Sequence, residues 1–150
     1  MNHCECGHFR LRKEATVVKR FICHCSFCKS YVGGPFNDEC FLKESDLEFI
    51  DKGAISFNRS PTWRKPLSRG TCTDCSKPVV SFAKLPFETF VLVPTEALPE
   101  TFELLDVCSH VFYHRRVREF RDSAPKYSNY WSSQIATLWF LFNGLKQTKL

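Results

Sequence analysis

The run Cys23-His24-Cys25-Ser26-Phe27-Cys28 places three thiols within six residues. Residues two apart in an extended strand point to the same face, so Cys23 and Cys25 present their sulfur atoms together. A turn through the next two residues brings Cys28 to the same point. A lone cysteine is usually a small buried apolar residue, and that interpretation does not account for the cluster. The run therefore predicts a metal site with three soft ligands.

Two further cysteine pairs flank this run. Cys4-Glu5-Cys6 lies upstream and Cys72-Thr73-Asp74-Cys75 lies downstream, so that seven of the nine cysteines fall in three groups. Only Cys40 and Cys108 stand alone. The odd total of nine argues against a closed disulfide framework.

The composition indicates an intracellular protein, with a cytoplasmic or a nuclear location. We find no basic and apolar leader after Met1 and no apolar stretch that approaches a membrane span, so we expect no membrane partner. A reducing compartment disfavours disulfides and makes grouped thiols candidate metal ligands. The formal net charge of +5 is mild and does not favour a nucleic-acid partner.

The number of grouped thiols predicts two zinc ions per chain. A structural zinc takes four protein ligands, whereas a catalytic zinc takes three and leaves one position for water or substrate. We assign the closed site to Cys4, Cys6, Cys72 and Cys75, and the open site to Cys23, Cys25 and Cys28. All-thiolate ligation also suits an iron–sulfur cluster, but the second group lacks a fourth close ligand, which favours zinc.

An alternative is that a further residue completes the three-thiol site, so that both metals are structural. The candidates are Cys40, Cys108, His24 and His110. His24 projects to the opposite face if the run is extended, so Cys40 is the better rival. His110 could instead relay a proton or be a structural histidine.

The remaining pattern predicts short strands. We expect a hairpin of residues 9–11 and 16–22, a bend at 33–36, one helical turn within 45–53, a polar loop at 58–66, and strands near 41–42, 55–57, 79–82, 90–93 and 111–113. A helix of about eleven residues follows Ser132-Ser133 and is apolar on more than one side. It packs in the core or forms a homodimer or partner surface.

These motifs together resemble the glutathione-dependent formaldehyde-activating enzyme family, which includes the centromere-protein-V-like proteins. The resemblance rests on Cys4-Glu5-Cys6-Gly7, on the run from Cys23 to Lys29 followed by Gly33-Gly34-Pro35-Phe36, on Arg59-Ser60, and on Cys72-Thr73-Asp74-Cys75 with Pro78. It implies a mainly β, Mss4-like (β-tent) zinc-binding fold of short antiparallel strands with a short C-terminal helix. We assign residues 1–115 to this domain and 116–150 to an extension packed on it.

The resemblance also implies a zinc-dependent carbon–sulfur lyase that acts on an adduct of glutathione and an aldehyde such as formaldehyde. Cys23, Cys25 and Cys28 would then be catalytic ligands. Lys29, Arg59 and Arg64 are candidates to bind the carboxylates of glutathione, and Gly33 and Gly34 could turn backbone N–H groups toward the site.

Two non-enzymatic interpretations stay open at this point. A zinc scaffold could bind a protein or chromatin partner through the basic run 114–121 and the aromatic C-terminal helix. A zinc-ribbon nucleic-acid module fits less well, since no basic face with interleaved aromatic residues stands out.

Overall fold

The structure is a computed structural model that describes residues 4–59, 67–86 and 88–147. Short strands dominate these residues, as expected, and the only long element is the C-terminal helix. The elements are β1 (Phe9–Leu11), β2 (Lys19–Cys23), α1 (Ser26–Val32), β3 (Asn37–Lys43), β4 (Leu47–Phe49), β5 (Ile55–Arg59), β6 (Leu67–Cys72), β7 (Pro78–Lys84), β8 (Thr89–Pro94), β9 (Ser109–Val111) and α2 (Tyr130–Gln147).

The chain divides into two compact units. The first comprises Met1–Thr16 and Phe41–Phe102, and the second comprises Val17–Cys40 and Glu103–Leu150. The chain passes from the second unit into the first within β3. The boundary that we expect at residue 115 stays a prediction.

In the first unit, neighbouring strands of the larger sheet follow the order β5-β6-β7-β8-β3. Strands β1 and β4 form a separate two-stranded sheet. Strands β5 to β8 form a meander with antiparallel neighbours. The adjacent strands β7 and β8 are buried along most of their length, and their central valines are fully inaccessible. A strand buried on both faces needs a continuous apolar run, which Val79-Val80 and Phe90-Val91-Leu92-Val93 supply.

Gly70 lies in β6 at a register shift next to Thr71. A Cβ atom at this position would lie 2.7 Å from the Val80 carbonyl oxygen and 2.7 Å from Cε1 of Phe57. Real side chains do not approach backbone so closely, and a close approach of this kind is a recurrent reason for glycine in a strand. Because β6 ends at Cys72, this packing sets the position of one grouped thiol.

We expect Gly70→Ala to lower the free energy of unfolding by about 1–3 kcal/mol, because the added methyl group overpacks the sheet. Gly34→Ala is the matched control, since its Cβ would meet nothing nearer than 3.8 Å. Urea unfolding of the two variants measures the difference. Equal stability of the two variants would contradict this interpretation of Gly70.

The second unit is built on β2, which lies between β3 and β9. Strand β2 runs parallel to β9, with Phe21 opposite Ser109 and Cys23 opposite Val111. Arg20 fixes this arrangement by two hydrogen bonds to Asp38, of 2.9 and 2.6 Å, and one of 2.9 Å to the carbonyl oxygen of Leu105.

Helix α2 packs on β2 and β9 within the same unit. The rings of Phe21 and Phe140 meet edge to face with centroids 5.9 Å apart. The hydroxyl oxygen of Ser133 accepts a hydrogen bond of 2.8 Å from the N–H of Phe112.

The predicted hairpin is wrong. Strand β1 pairs with β4, which places Phe9 opposite Phe49, and β2 pairs with β9 instead of turning back onto β1. The polar residues at 13–14 do form a turn. Local turn signals predict that the chain changes direction, but they do not select the distant strand that each segment joins.

Three other boundaries differ from the sequence prediction. The helical turn expected within 45–53 is replaced by β4 and by two 3-10 turns, Glu44–Asp46 and Lys52–Ala54. The strand expected at 111–113 is β9, two residues earlier. Helix α2 has 18 residues and begins earlier than expected, because the side-chain oxygen of Asn129 accepts a hydrogen bond from the N–H of Ser132.

The predicted loop at 58–66 is described only in part. Residues 58 and 59 belong to β5, and residues 60–66 lie outside the described part of the chain. Within that described part, no helix combines the length and the apolar character that crossing a bilayer requires.

Candidate metal centres

Four thiols converge in the first unit. Cys4 and Cys6 precede β1, Cys72 ends β6, and Cys75 lies in the turn that follows it. Their sulfur atoms all lie within 4.8 Å of one another, and Sγ of Cys75 is 3.6 Å from Sγ of Cys4. The structure therefore brings together the two pairs that the sequence assigns to one site.

Backbone conformation shapes this group at both pairs. Gly7 follows the first pair with a φ of +73°, and Ser76 follows the second with a φ of 60°. The N–H of Ser76 donates to the carbonyl oxygen of Cys72 at 2.9 Å, which closes the turn. Tight turns of this kind let both cysteines of a pair face one point.

The thiols of this group differ in acidity. Burial would raise the pKa of Cys72, but hydrogen bonds from the N–H groups of Cys75 and Asp74 outweigh it and lower the pKa to about 7. Burial raises the pKa of Cys4 to about 11, and hydrogen bonds with Cys72 and Cys75 raise that of Cys6 to about 12. Cys4 and Cys6 thus retain their protons at neutral pH unless a cation replaces them.

His8 and Asp74 lie beside the four-thiol group, and the sequence analysis missed both. Nε2 of His8 is 2.6 Å from Oδ2 of Asp74. Together with Cys6 and Cys72 they form a second group of donors within 4.8 Å. Their positions in the sequence could have identified them as candidate ligands, because His8 follows Cys6 by two residues and Asp74 lies inside the second pair.

Three buried thiols converge in the second unit. Cys23 is the last residue of β2, Cys25 precedes α1, and Cys28 lies in the first turn of α1. Sulfur atoms of all three lie within 4.8 Å of one another, with 3.5 Å between Cys23 and Cys25. The predicted turn through Ser26 and Phe27 is thus the start of a helix that the sequence analysis missed.

Cys25 is also the N-cap residue of α1. Its backbone is extended, with φ −68° and ψ 155°, and its sulfur accepts a hydrogen bond of 3.4 Å from the N–H of Cys28. An N–H group directed at sulfur stabilises the thiolate form that metals bind. The same contact therefore orders the helix and one candidate ligand.

The ligand geometry of both groups fits zinc. Tetrahedral zinc with Zn–S bonds of about 2.3 Å places sulfur atoms about 3.8 Å apart, and the separations above are close to this value. In the three-thiol group, hydrogen bonds with Cys25 and Cys28 and burial raise the pKa of Cys23 well above its ordinary value. Val111, Phe112 and Tyr127 pack around the group.

None of the four candidates to complete the three-thiol site joins it in the described part of the chain. Cys40 is fully buried in β3, and Sγ of Cys108 lies 4.0 Å from Oγ of Ser109. His24 and His110 bond to each other, Nε2 to Nδ1, at 3.0 Å.

The two buried histidines belong to a chain of hydrogen bonds that ends at the surface. Nε2 of His110 is 2.8 Å from Oδ2 of Asp122, whose other oxygen accepts from Nζ of Lys126 at 2.9 Å. With Asp122 ionised, His110 donates through Nε2 and accepts at Nδ1 from His24. Nδ1 of His24 is then an acceptor, and it is buried without a hydrogen-bond partner in the described structure.

Electrostatics keep His24 neutral. Burial lowers the pKa of His24 to about 4, and electrostatic interactions with His110, Lys29 and Arg116 act in the same direction. Burial would raise the pKa of Asp122, but hydrogen bonds from Lys126 and His110 outweigh it and lower that pKa. Because both ring nitrogens of His110 are engaged, the geometry favours a structural histidine at this position.

We expect His110→Ala to lower the free energy of unfolding by about 3 kcal/mol or more, because it leaves a cavity and removes the partner of a fully buried His24. His114→Ala is the control, since His114 is exposed, and it should change stability by less than about 0.5 kcal/mol. Urea unfolding at neutral pH measures both. A His110→Ala variant as stable as the control would refute the structural role.

The predicted substrate-binding residues do not all have free donors. Nζ of Lys29 donates to the carbonyl oxygen of Arg115 at 2.9 Å. Gly33 ends α1 with a φ of +64°, and the N–H groups of Gly33 and Gly34 both donate to the carbonyl oxygen of Lys29. These two donors close the helix rather than face a substrate.

The two arginine candidates lie elsewhere in the chain. Arg59 is the exposed last residue of β5 in the first unit. Arg64 lies outside the described residues. A role for either in binding a substrate stays a prediction.

Two groups of converging thiols on strand ends and turns define a β protein that could hold metal ions, with zinc the metal that fits. The model of the glutathione-dependent formaldehyde-activating enzyme family matches residues 1–115, and the chain belongs to this family. Membership and the strand arrangement confirm the predicted fold class, mainly β and Mss4-like with a C-terminal helix. Comparison with curated proteins gives no match.

Proposed function

We propose that this protein is a zinc-dependent carbon–sulfur lyase-like enzyme that acts on the adduct of a thiol, glutathione, with an aldehyde, formaldehyde. The family indicates both reactants by its name. The proposal assumes a reducing compartment, cytoplasmic or nuclear, in which grouped thiols stay available.

The observation that carries the proposal is the three-thiol group. It is buried, its sulfur atoms are close enough to share one ion, and no fourth His, Cys, Asp or Glu joins it among the described residues. Three protein ligands with one remaining position are typical of catalytic rather than structural zinc. The four-thiol group has the donor set of a closed structural site.

The proposed reaction joins or separates one carbon–sulfur bond. In the forward direction the substrate thiol loses its proton, its sulfur bonds to the aldehyde carbon, and the carbonyl π electrons move to oxygen. The oxygen takes a proton to give an S-hydroxymethyl thioether, so the addition has no net proton change. In reverse, the hydroxyl loses that proton as the carbon–sulfur bond breaks and the thiolate leaves. A zinc ion held by Cys23, Cys25 and Cys28 would stabilise the negative charge on that sulfur.

Groups of the protein must stabilise the negative charge of a substrate thiolate at the three-thiol site. Three thiolates and a divalent ion carry a net charge of about −1, so a further thiolate needs neighbouring donors or cations. The N–H of Cys28 already donates to Sγ of Cys25. Lys29 follows Cys28 directly, and its ammonium group retains donors beyond the one given to Arg115.

We expect zinc-loaded protein to contain two zinc ions per chain, and each site to respond differently to substitution. Cys72→Ser should lose one zinc and most of its stability, because a closed four-thiolate site contributes ~10–16 kcal/mol to folding. Cys25→Ser should lose the other zinc yet stay folded, because serine can still cap α1. Elemental analysis and thermal melts measure both. Equal destabilisation by the two substitutions would contradict the division into a closed and an open site.

We expect Cys25→Ser to abolish turnover of a glutathione–formaldehyde mixture, with a loss larger than the ~10–100-fold typical of outer-shell changes at metal sites. Cys108→Ser is the control, because Cys108 lies in neither thiol group, and it should keep full activity. Formaldehyde consumption followed by nuclear magnetic resonance provides the measurement. Activity retained in folded Cys25→Ser protein would reject the catalytic site.

A second candidate is a non-catalytic zinc scaffold that binds a protein or chromatin partner. The observation that favours it is the exposed aromatic surface of α2, which includes Trp131 and Trp139. The activity measurement separates the two candidates, since a scaffold with both zinc ions would bind glutathione weakly or not at all and would consume no formaldehyde.

A further inference from the structure

Helix α2 buries three small residues and exposes five large apolar ones. Ser133, Ala136 and Gly144 are buried against the second unit. A Cβ atom at Gly144 would lie 2.4 Å from Cγ1 of Val18, so the helix approaches β2 closely. Leu141 is also buried and Phe140 packs on Phe21, but an ordinary surface helix turns most of its large apolar residues to the core, and α2 leaves five of them exposed.

The outer face is strongly apolar. Trp131 is 73% exposed, Ile135 64% and Trp139 61%, while Leu138 and Phe142 are exposed to a lesser degree. Large contiguous apolar surfaces of this kind mark interaction sites. We call the face formed by Trp131, Ile135, Leu138, Trp139 and Phe142 the outer face of α2.

The spacing of these residues is that of a helix pair. Trp131, Ile135, Leu138 and Phe142 are separated by four, three and four positions, which is the repeat that lets two helices pack side by side. The positions of these four residues are also symmetric about a point between residues 136 and 137. A two-fold axis there would place Trp131 of one copy against Phe142 of the second, and Ile135 against Leu138.

We propose that the outer face of α2 binds the same face of a second copy of this chain, with the two helices antiparallel. The inference does not depend on the proposed enzymatic function.

Charge favours a second copy over other occupants. Among the described residues of α2, Lys146 is the only charged one. An acidic protein would find no cations on this face, and a helix that binds anionic membrane surfaces usually carries a basic polar face. Two identical uncharged faces meet without electrostatic repulsion.

The area of the face suits a dimer of modest affinity. Side chains of this size, exposed to these fractions, present roughly 600 Å² per chain. Two copies would bury roughly 1,200 Å², the lower limit for specific interfaces. We therefore expect a dissociation constant in the micromolar range.

Sedimentation velocity of the zinc-loaded full chain between about 1 and 100 μM tests the proposal at the concentrations where such a dimer forms. The mass should rise from the 17.5 kDa monomer toward twice that value. Ile135→Glu should stay monomeric throughout, because it buries a charge in the interface. Val117→Glu is the matched control, since Val117 is 66% exposed outside α2, and it should dimerise like the unmodified chain.

Mixing two variants tests the antiparallel orientation. Ile135→Glu and Leu138→Lys should each be monomeric alone, and together they should form a mixed dimer because the two-fold axis places position 135 against position 138. Circular dichroism confirms that each variant keeps α2. An unmodified chain that stays monomeric at 100 μM with α2 intact would overturn the proposal, as would a monomer that partitions onto neutral lipid vesicles through α2.

Discussion

Sulfur atoms held close together set the main energetic constraint on this protein. Seven thiols are drawn into two groups, and as thiolates they would repel one another strongly. The raised pKa values of Cys4, Cys6 and Cys23 show how the chain reduces that repulsion without a cation, by keeping protons on sulfur. A divalent ion removes the repulsion in another way, and the fold holds both groups ready for it through strand ends, tight turns and one helix start.

The buried histidine pair His24 and His110 supports the three-thiol group through the backbone that carries it. His24 sits between two of its cysteines, and its ring is fixed by His110 and, through it, by Asp122. Such outer contacts orient metal ligands in many proteins, and here they act on the backbone between the ligands. Phe120 and Tyr113 pack edge to face against the same ring of His24. Residues 110–122 of the second unit therefore hold the loop from Cys23 to Cys25 in place.

Sequence reasoning was strongest where the chemistry was local. Spacing alone grouped Cys4 with Cys6 and Cys72 with Cys75, and continuous apolar runs located β7 and β8. It failed where the deciding partner lay far along the chain. Nothing near β1 indicates that β4 rather than β2 is its neighbour. His110 and Asp122 likewise become partners of His24 only through the fold, and Asn129 starts α2 early by a side-chain hydrogen bond that the apolar pattern does not include.

Cys25 has two roles that rest on one sulfur atom. The same sulfur atom belongs to the candidate ligand group and accepts the N–H that begins α1. Oxidation or alkylation of this one atom would therefore remove a ligand and release the first turn of the helix in a single event. Amide hydrogen exchange at Cys28 would then report the redox state of the site, so that covalent damage to one sulfur becomes visible in the backbone.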